Sequence, residues 1–426
     1  MARSKLEDTT DFIELFEYLG GDWIVPSQFL RWTAMSLIAA CVEDRVWVQV
    51  FDHAPLYPNI WVFLIGPSGT GKDFSIGMAL GLLRPEDALW KIDGKVTMPA
   101  MYDYMAKQQK VSGRDSAPVY LVSSDVTEQL PLGPEAKDFT SRALALYGGR
   151  DRELVDLTRT GGDKVVRRPL LNWAAGCTQE WFPLAVDPIV FNSGMAGRAF
   201  FILGEPVLEQ YHKPSPTRRH DHDLVMDFLR KRVEAYQAVE GVFILSDKAQ
   251  LYYKQWLMQQ QERMRSTTLS DVERAVMNRT RASVLKLAVI FALSRWQGGM
   301  LVIKAGHMSR AISALQEVMS GVVSVSDFAY VTIDTAALDK VREVIRMSGM
   351  IRRDALLRVM TKRGIKGSKQ LSEIVDTLKE AGQITLEKRK PVRPGGPWPV
   401  YITWKMPKVI LTDEQPEPEP QGSAES

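Results

Sequence analysis

The residues best suited to chemistry lie in one short stretch, Gly66-Pro67-Ser68-Gly69-Thr70-Gly71-Lys72. Its glycines let consecutive backbone N–H groups turn inward onto an anion, and Lys72 has the reach to meet β and γ oxygens of a nucleotide. The chemistry implied is the binding of a nucleoside triphosphate, ATP with Mg²⁺. The position after the lysine commonly holds a Ser or Thr whose hydroxyl ligates the metal; here it is Asp73. A carboxylate also ligates magnesium, at the cost of negative charge beside the triphosphate. A second acid follows an apolar run, Val119 to Asp125. At the end of such a strand a carboxylate holds the metal against the phosphates, so Asp125 joins Asp73 as a metal ligand. Where a Glu commonly comes next to polarise the attacking water stands Val126, which leaves Glu128 as the candidate base.

These groups need particular elements behind them. Ile60 to Ile65 is a continuous apolar run, the pattern of a buried parallel strand, and a helical pattern begins right after Lys72. Strand, phosphate loop and helix therefore come in the required order. Upstream, residues 11–42 carry two helical patterns, with Gly20-Gly21 as a stop and Pro26-Ser27 as a start, followed by a short strand, Val46 to Phe51. Downstream, Pro99 to Gln109 reads as a helix. Residues 153–168 read as a hairpin turning at Thr160-Gly161-Gly162-Asp163, with Arg159, Lys164, Arg167 and Arg168 near the turn and return arm. Pro169 to Cys177 reads as a strand ending at Thr178 and Gln179, and Arg198 precedes another apolar run.

The order of phosphate loop, acidic strand, basic hairpin, polar-ended strand and arginine before an apolar strand resembles AAA+-type helicases. Within them it looks most like the hairpin-bearing branch of superfamily 3 viral helicases and the replicative MCM proteins. The stretches YPNIWVFLIGPSGTGKD, LALYGGRD and GMAGRAFFI also resemble phage- and plasmid-borne P-loop proteins of primase/helicase type, over roughly residues 55–300. The resemblance implies that Thr178 or Gln179 senses the γ-phosphate. It implies that Arg198 is an arginine finger inserted into a neighbouring subunit's site, and that Arg279 or Arg281 offers a second sensor arginine, with Arg281 taken as nucleotide-binding. It further implies a hexameric ring whose hairpin cations, Arg159, Lys164 and Arg167, meet DNA phosphates in a central channel.

The formal net charge of +3 hides an uneven distribution. Residues 336–405 hold 16 Lys and Arg against 7 Asp and Glu, a surplus of +9, whereas residues 406–426 sum to −4 and the remainder to −2. A positive field confined to one module points to a polyanionic partner. That module reads as three helices, Ala336–Arg346, Asp354–Lys362 and Ser368–Ala381, and two strands, Gln383–Glu387 and Val400–Trp404, the pattern of a winged helix. Lys366 and Lys369 at the start of its third helix, with Lys388, Arg389, Lys390 and Arg393 on the wing, are candidates for duplex phosphates. The Pro-rich acidic end reads as disordered, and residues 206–223 as a loop. His212, His220 and His222 in that loop lack the spacing of a metal site.

The expected fold is therefore an α/β P-loop NTPase core of AAA+/ASCE type, residues 55–205, with a helical N-terminal section (1–54), a helical lid and connector (206–335), a winged helix (336–405) and a tail (406–426). Two cysteines, Cys41 and Cys177, argue against a disulfide framework, and neither a membrane-length apolar span nor a secretory leader is evident. A cytoplasmic protein is expected. Two functions stand: a ring-shaped ATP-dependent DNA helicase of phage type, working beside replication proteins, or a nucleotide-gated initiator or helicase loader with little hydrolysis, which the Asp73 and Val126 departures favour.

Overall fold

Five apolar runs lie side by side in one sheet, all pointing the same way. The computed structural model describes residues 10–21, 25–49, 55–84, 89–126, 134–148, 153–158, 162–179, 194–206, 221–266, 269, 271–362, 365, 367–380, 383–389 and 399–404. In space the strands run Lys91–Asp93, Ala117–Ser123, Pro169–Cys177, Trp61–Ile65 and Ala199–Leu203. Counted along the chain from Trp61–Ile65, that order is 2-3-4-1-5. The protein is thus α/β with a parallel five-stranded sheet.

The three inner strands have no exposed residue, because helices cover both faces. On one face Val62, Leu64, Tyr120, Val122 and Ile202 pack with the helices Phe12–Gly20, Ser27–Val42, His222–Ala238 and Asp271–Ser294. On the other, Phe63, Leu121, Trp173 and Phe201 pack with the helices Met98–Ser112 and Pro134–Gly148. The alternation of side chains along each strand feeds these two cores in turn. The front section is part of the first core: Ser27–Val42 is almost wholly buried, which explains its weak amphipathic pattern.

The stretch 206–335, expected to be a helical lid and connector, contains two short strands. Gly241–Leu245 and Val302–Ile303 join Val46–Gln49 and Pro55–Leu56 in a second, mixed four-stranded sheet. Each is brief and flanked by long helices, so helical periodicity dominates any window laid across it. From Ala305 onward that stretch lies inside one long helix, Ala305–Ser348. The hairpin forms with arms Glu153–Thr158 and Gly162–Arg167, paired from Glu153↔Arg167 to Thr158↔Gly162.

The chain divides into two compact units, Met1–Tyr330 and Val331–Ser426. In the second, the end of the helix Ala305–Ser348 joins the helices Arg353–Lys362 and Ser368–Glu380. A three-stranded antiparallel sheet, in the order Met350–Arg352, Val400–Trp404, Ile384–Lys388, completes it. The first of these strands was not anticipated; at three residues it has no readable period. Val341, Ile345, Leu356, Met360, Leu371, Val375, Ile384 and Ile402 form the core of this unit. Among the described residues, no helix is long and apolar enough to cross a membrane.

Candidate functional site

The phosphate loop leaves the carboxyl end of Trp61–Ile65, where ligands of open parallel sheets gather. Ile65 is in register with Cys177 on one side and Leu203 on the other, and Gly66 N–H donates to the Cys177 carbonyl at 3.2 Å. The strand after it ends next door: Ser123 pairs with Ala175, so Ser124 and Asp125 lie beside Gly176 and Cys177. Gly66 to Asp73, Asp125, Thr178 and Gln179 therefore meet at one end of the sheet, as the order of motifs implied.

Close approach of backbone explains several glycines. A Cβ on Gly66 would stand 2.5 Å from the Gly204 carbonyl oxygen. One on Gly176 would collide with the Ser124 carbonyl and come within 3.3 Å of Lys72 Cβ. Gly69 and Gly71 have φ of 83° and 80°, the left-handed region that side chains resist. Gly71 caps the helix Lys72–Leu80 and also leaves room for Val25. Phe29 packs under Gly66 and Gly204, and Gln28 Nε2 donates to the Leu203 carbonyl at 2.9 Å. The front section thus underpins the loop, a role for Val25, Gln28 and Phe29 that no local pattern announces.

Lys72 is 8% exposed. Its ammonium donates to the carbonyls of Gly66 (2.8 Å) and Pro67 (2.7 Å) and lies 3.3 Å from Thr70 Oγ1. The cation is held at the loop's inner side by the loop itself. Ser68 and Gly69 are exposed at the tip, and Thr70 is buried, its hydroxyl donating to Pro67 O at 2.8 Å. Asp73 is exposed in the first helical turn, where the helix dipole favours a carboxylate. Asp125 and Thr178 are partly buried. Val126 points the other way, fully buried in the core with Phe139 and Trp173. Glu128 lies outside the described residues.

Arg198 and Arg281 are not brought to the loop. Arg198 directly precedes Ala199, which is level with Trp61, the first residue of the phosphate-loop strand. It therefore stands at the amino end of the sheet, about 16 Å from the loop for a strand of this length. Arg198 Nη1 donates to Gly194 O at 3.0 Å, and its guanidinium lies 5.7 Å from the Tyr147 ring centre. Burial, reinforced by the nearby Arg279 cation, lowers its pKa. Arg281 is exposed on Asp271–Ser294, its carbonyl accepting from Tyr253 at 3.2 Å.

The basic residues of the hairpin are paired within the chain. Lys164 meets Asp103 at 3.3 Å, Arg167 meets Glu153 at 2.8 Å and Arg168 meets Asp115 at 3.4 Å. Gln109 ties the hairpin to the helix Met98–Ser112 by bonding both backbone groups of Arg167. Arg159 lies outside the described residues, as do Lys366, Lys390 and Arg393. On the second unit Lys388 and Arg389 are exposed, Arg389 pairing with Glu387 at 2.9 Å and lying over Tyr401 at 4.9 Å. The backbone of Lys369 is in the first turn of Ser368–Glu380.

Compared with known families and with curated proteins, the chain matches no family model and no curated protein.

Proposed function

We propose that this chain is a P-loop NTPase of AAA+ type that binds ATP with Mg²⁺ and uses it to drive a DNA motor, a helicase working as a ring. One observation carries the reading. The glycine loop with its buried lysine stands at the carboxyl end of the first strand of a 5-1-4-3-2 parallel sheet, with the polar-ended strand as its neighbour and the acid-ended strand next after that. That is the arrangement needed to surround a polyphosphate on one side with amides and an ammonium, and on the other with a metal-binding carboxylate.

The residues fit such a ligand. Loop amides and Lys72 would hold the β and γ oxygens, and Asp125, with Asp73 at the rim, would hold the metal. The bound Mg²⁺-ATP supplies a phosphoanhydride to be cleaved, with its charge partly neutralised. Thr178 or Gln179, at the end of the neighbouring strand, would feel the terminal phosphate. Arg198, at the far end of the sheet, suits a site other than its own, so a neighbouring subunit of a ring is the natural recipient. The second unit, with three helices and a three-stranded wing, supports a winged-helix reading, with Lys388 and Arg389 toward duplex phosphates.

A second reading has observations of its own. Val126 is packed in the core where a water-polarising Glu is commonly found, and Lys164, Arg167 and Arg168 are neutralised by acids of the same chain. These favour a nucleotide-gated DNA-binding initiator or loader with slow turnover. DNA-stimulated ATP hydrolysis by the purified chain separates the two. Brisk turnover abolished by Lys72→Ala is expected for the motor; tight ATP binding with negligible turnover selects the loader. Turnover untouched by Lys72→Ala would refute both.

A further inference from the structure

At the amino end of the sheet lies a buried lysine that the nucleotide site does not use. Lys286 sits within an apolar helical run, Val284 to Leu293, and is 5% exposed. Its ammonium has three acceptors and none is charged: Asn59 O at 2.8 Å, Asn59 Oδ1 at 2.7 Å and Tyr147 Oη at 2.9 Å. Asn59 directs its own amide to the carbonyls of Tyr147 and Leu171, both at 3.4 Å. The knot therefore joins the helix Asp271–Ser294, the end of Pro134–Gly148, the start of the phosphate-loop strand and its neighbour Pro169–Cys177.

The surroundings oppose a cation here. Burial, together with the nearby Arg198 and Arg279 guanidinium groups, drives the Lys286 pKa far down. An apolar side chain of similar length would suit a purely structural role better. What the lysine does contact is the Tyr147 ring, 4.2 Å from its ammonium, and that same ring carries Arg198. Gly194 and Gly197 complete the seat: a Cβ on the first would collide with Arg198 Nη1, and on the second with Arg279 Cδ. Arg198 Nε is buried with no hydrogen-bond partner among the described residues, and among them the Gly194 carbonyl and the Tyr147 ring are what the guanidinium meets.

We infer that Lys286 is a positioning residue: through Tyr147 and Asn59 it fixes the perch from which Arg198 reaches an anionic group, the terminal phosphate held in the loop of a second copy. This rests on the proposed role of Arg198 and adds a link from the helical section to it. The test uses the full chain with Lys286→Met, Tyr147→Phe, Arg198→Ala and the double variant Arg198→Ala/Lys286→Met. Lys286→Met is expected to lower kcat for ATP about tenfold or more, with ATP affinity at the loop unchanged. Tyr147→Phe keeps the ring and loses only the hydroxyl, so a loss of a few fold is expected. The double variant should be no slower than Arg198→Ala alone. Independently of turnover, phenylglyoxal labelling of Arg198, read by mass spectrometry, should quicken in Lys286→Met and in Tyr147→Phe. Unchanged kcat and labelling in both single variants, or losses that multiply in the double variant, would overturn the inference. If Arg198→Ala hydrolyses ATP at the full rate, the finger reading itself fails, and the inference with it, whatever the labelling shows.

Discussion

Lys72, the phosphate-binding group of the proposed function, is also part of the loop's own structure, since its ammonium ties the carbonyls of Gly66 and Pro67. Removing it costs the loop its internal cation and, on the proposed reading, its charge for phosphate. Asp73 presents the opposite case: it is exposed, in the first helical turn after the loop. Asp73→Thr is expected to tighten ATP binding in the presence of Mg²⁺ by several fold, measured by calorimetric titration. It should cost only about 0.3–1 kcal/mol of stability from the lost acid at the helix start. For Val126 the common motif invites restoring a glutamate. The structure predicts that this fails, because the side chain is fully buried in the core that also holds Phe139 and Trp173. Val126→Glu should lower unfolding stability by about 2–4 kcal/mol in denaturant titration and leave ATP turnover no faster.

Among the elements, the helix Phe12–Gly20 shows how the front section is fastened. Its N-cap, Asp11, accepts from Ile13 N–H at 3.1 Å and from the Ser294 hydroxyl, and pairs with Arg295 at 2.8 Å and Arg310 at 2.5 Å. One carboxylate thus pins three helices. Burial pushes its pKa up, but the Ser294 hydrogen bond and the Arg310 and Arg295 cations outweigh burial and bring it down to about 2. A carboxyl depressed in the folded state adds stability that is present above its ordinary pKa near 4 and lost as pH falls toward 2. Roughly 2 kcal/mol should therefore vanish between about pH 4 and pH 2. Chemical unfolding across that range should show the loss, and Asp11→Asn should flatten it while lowering stability at pH 7. The hairpin illustrates a different fastening: Gln109 and Asp103 of one helix hold its return arm. Lys164 and Arg167 are thus already paired, the first with an acid of that helix.

For the whole molecule, charge is the guiding quantity. Residues 336–405 of the second unit carry a surplus of +9, against −4 in residues 406–426 and −2 in residues 1–335. Binding of the full chain to duplex DNA should weaken steeply with salt, in a log–log plot whose slope counts the phosphates neutralised. Reversing Lys388 and Arg389 to glutamate should lower affinity at least tenfold at physiological ionic strength and reduce the slope by about 2. An unchanged slope in that double variant would place the DNA contact elsewhere.

Local chemistry by itself determined much of this protein. The phosphate loop, its strand and helix, the acid-ended and polar-ended strands, the hairpin arms and the wing strand Val400–Trp404 were legible because each is written in a short, contiguous pattern of apolar period, glycine and charge. Helices Phe12–Gly20 and Ser368–Glu380 were legible for the same reason, through their caps and stops. Tertiary structure alone decided the rest. It set Phe29 and Val25 beneath the loop, placed Arg198 at the opposite end of the sheet from it, buried Val126, paired the hairpin cations with Asp103, Glu153 and Asp115, and joined Lys286 to a residue 227 positions away. Such facts depend on which elements become neighbours. Contacts between residues far apart in the chain arise from packing two cores against one sheet, and no window of sequence contains both partners.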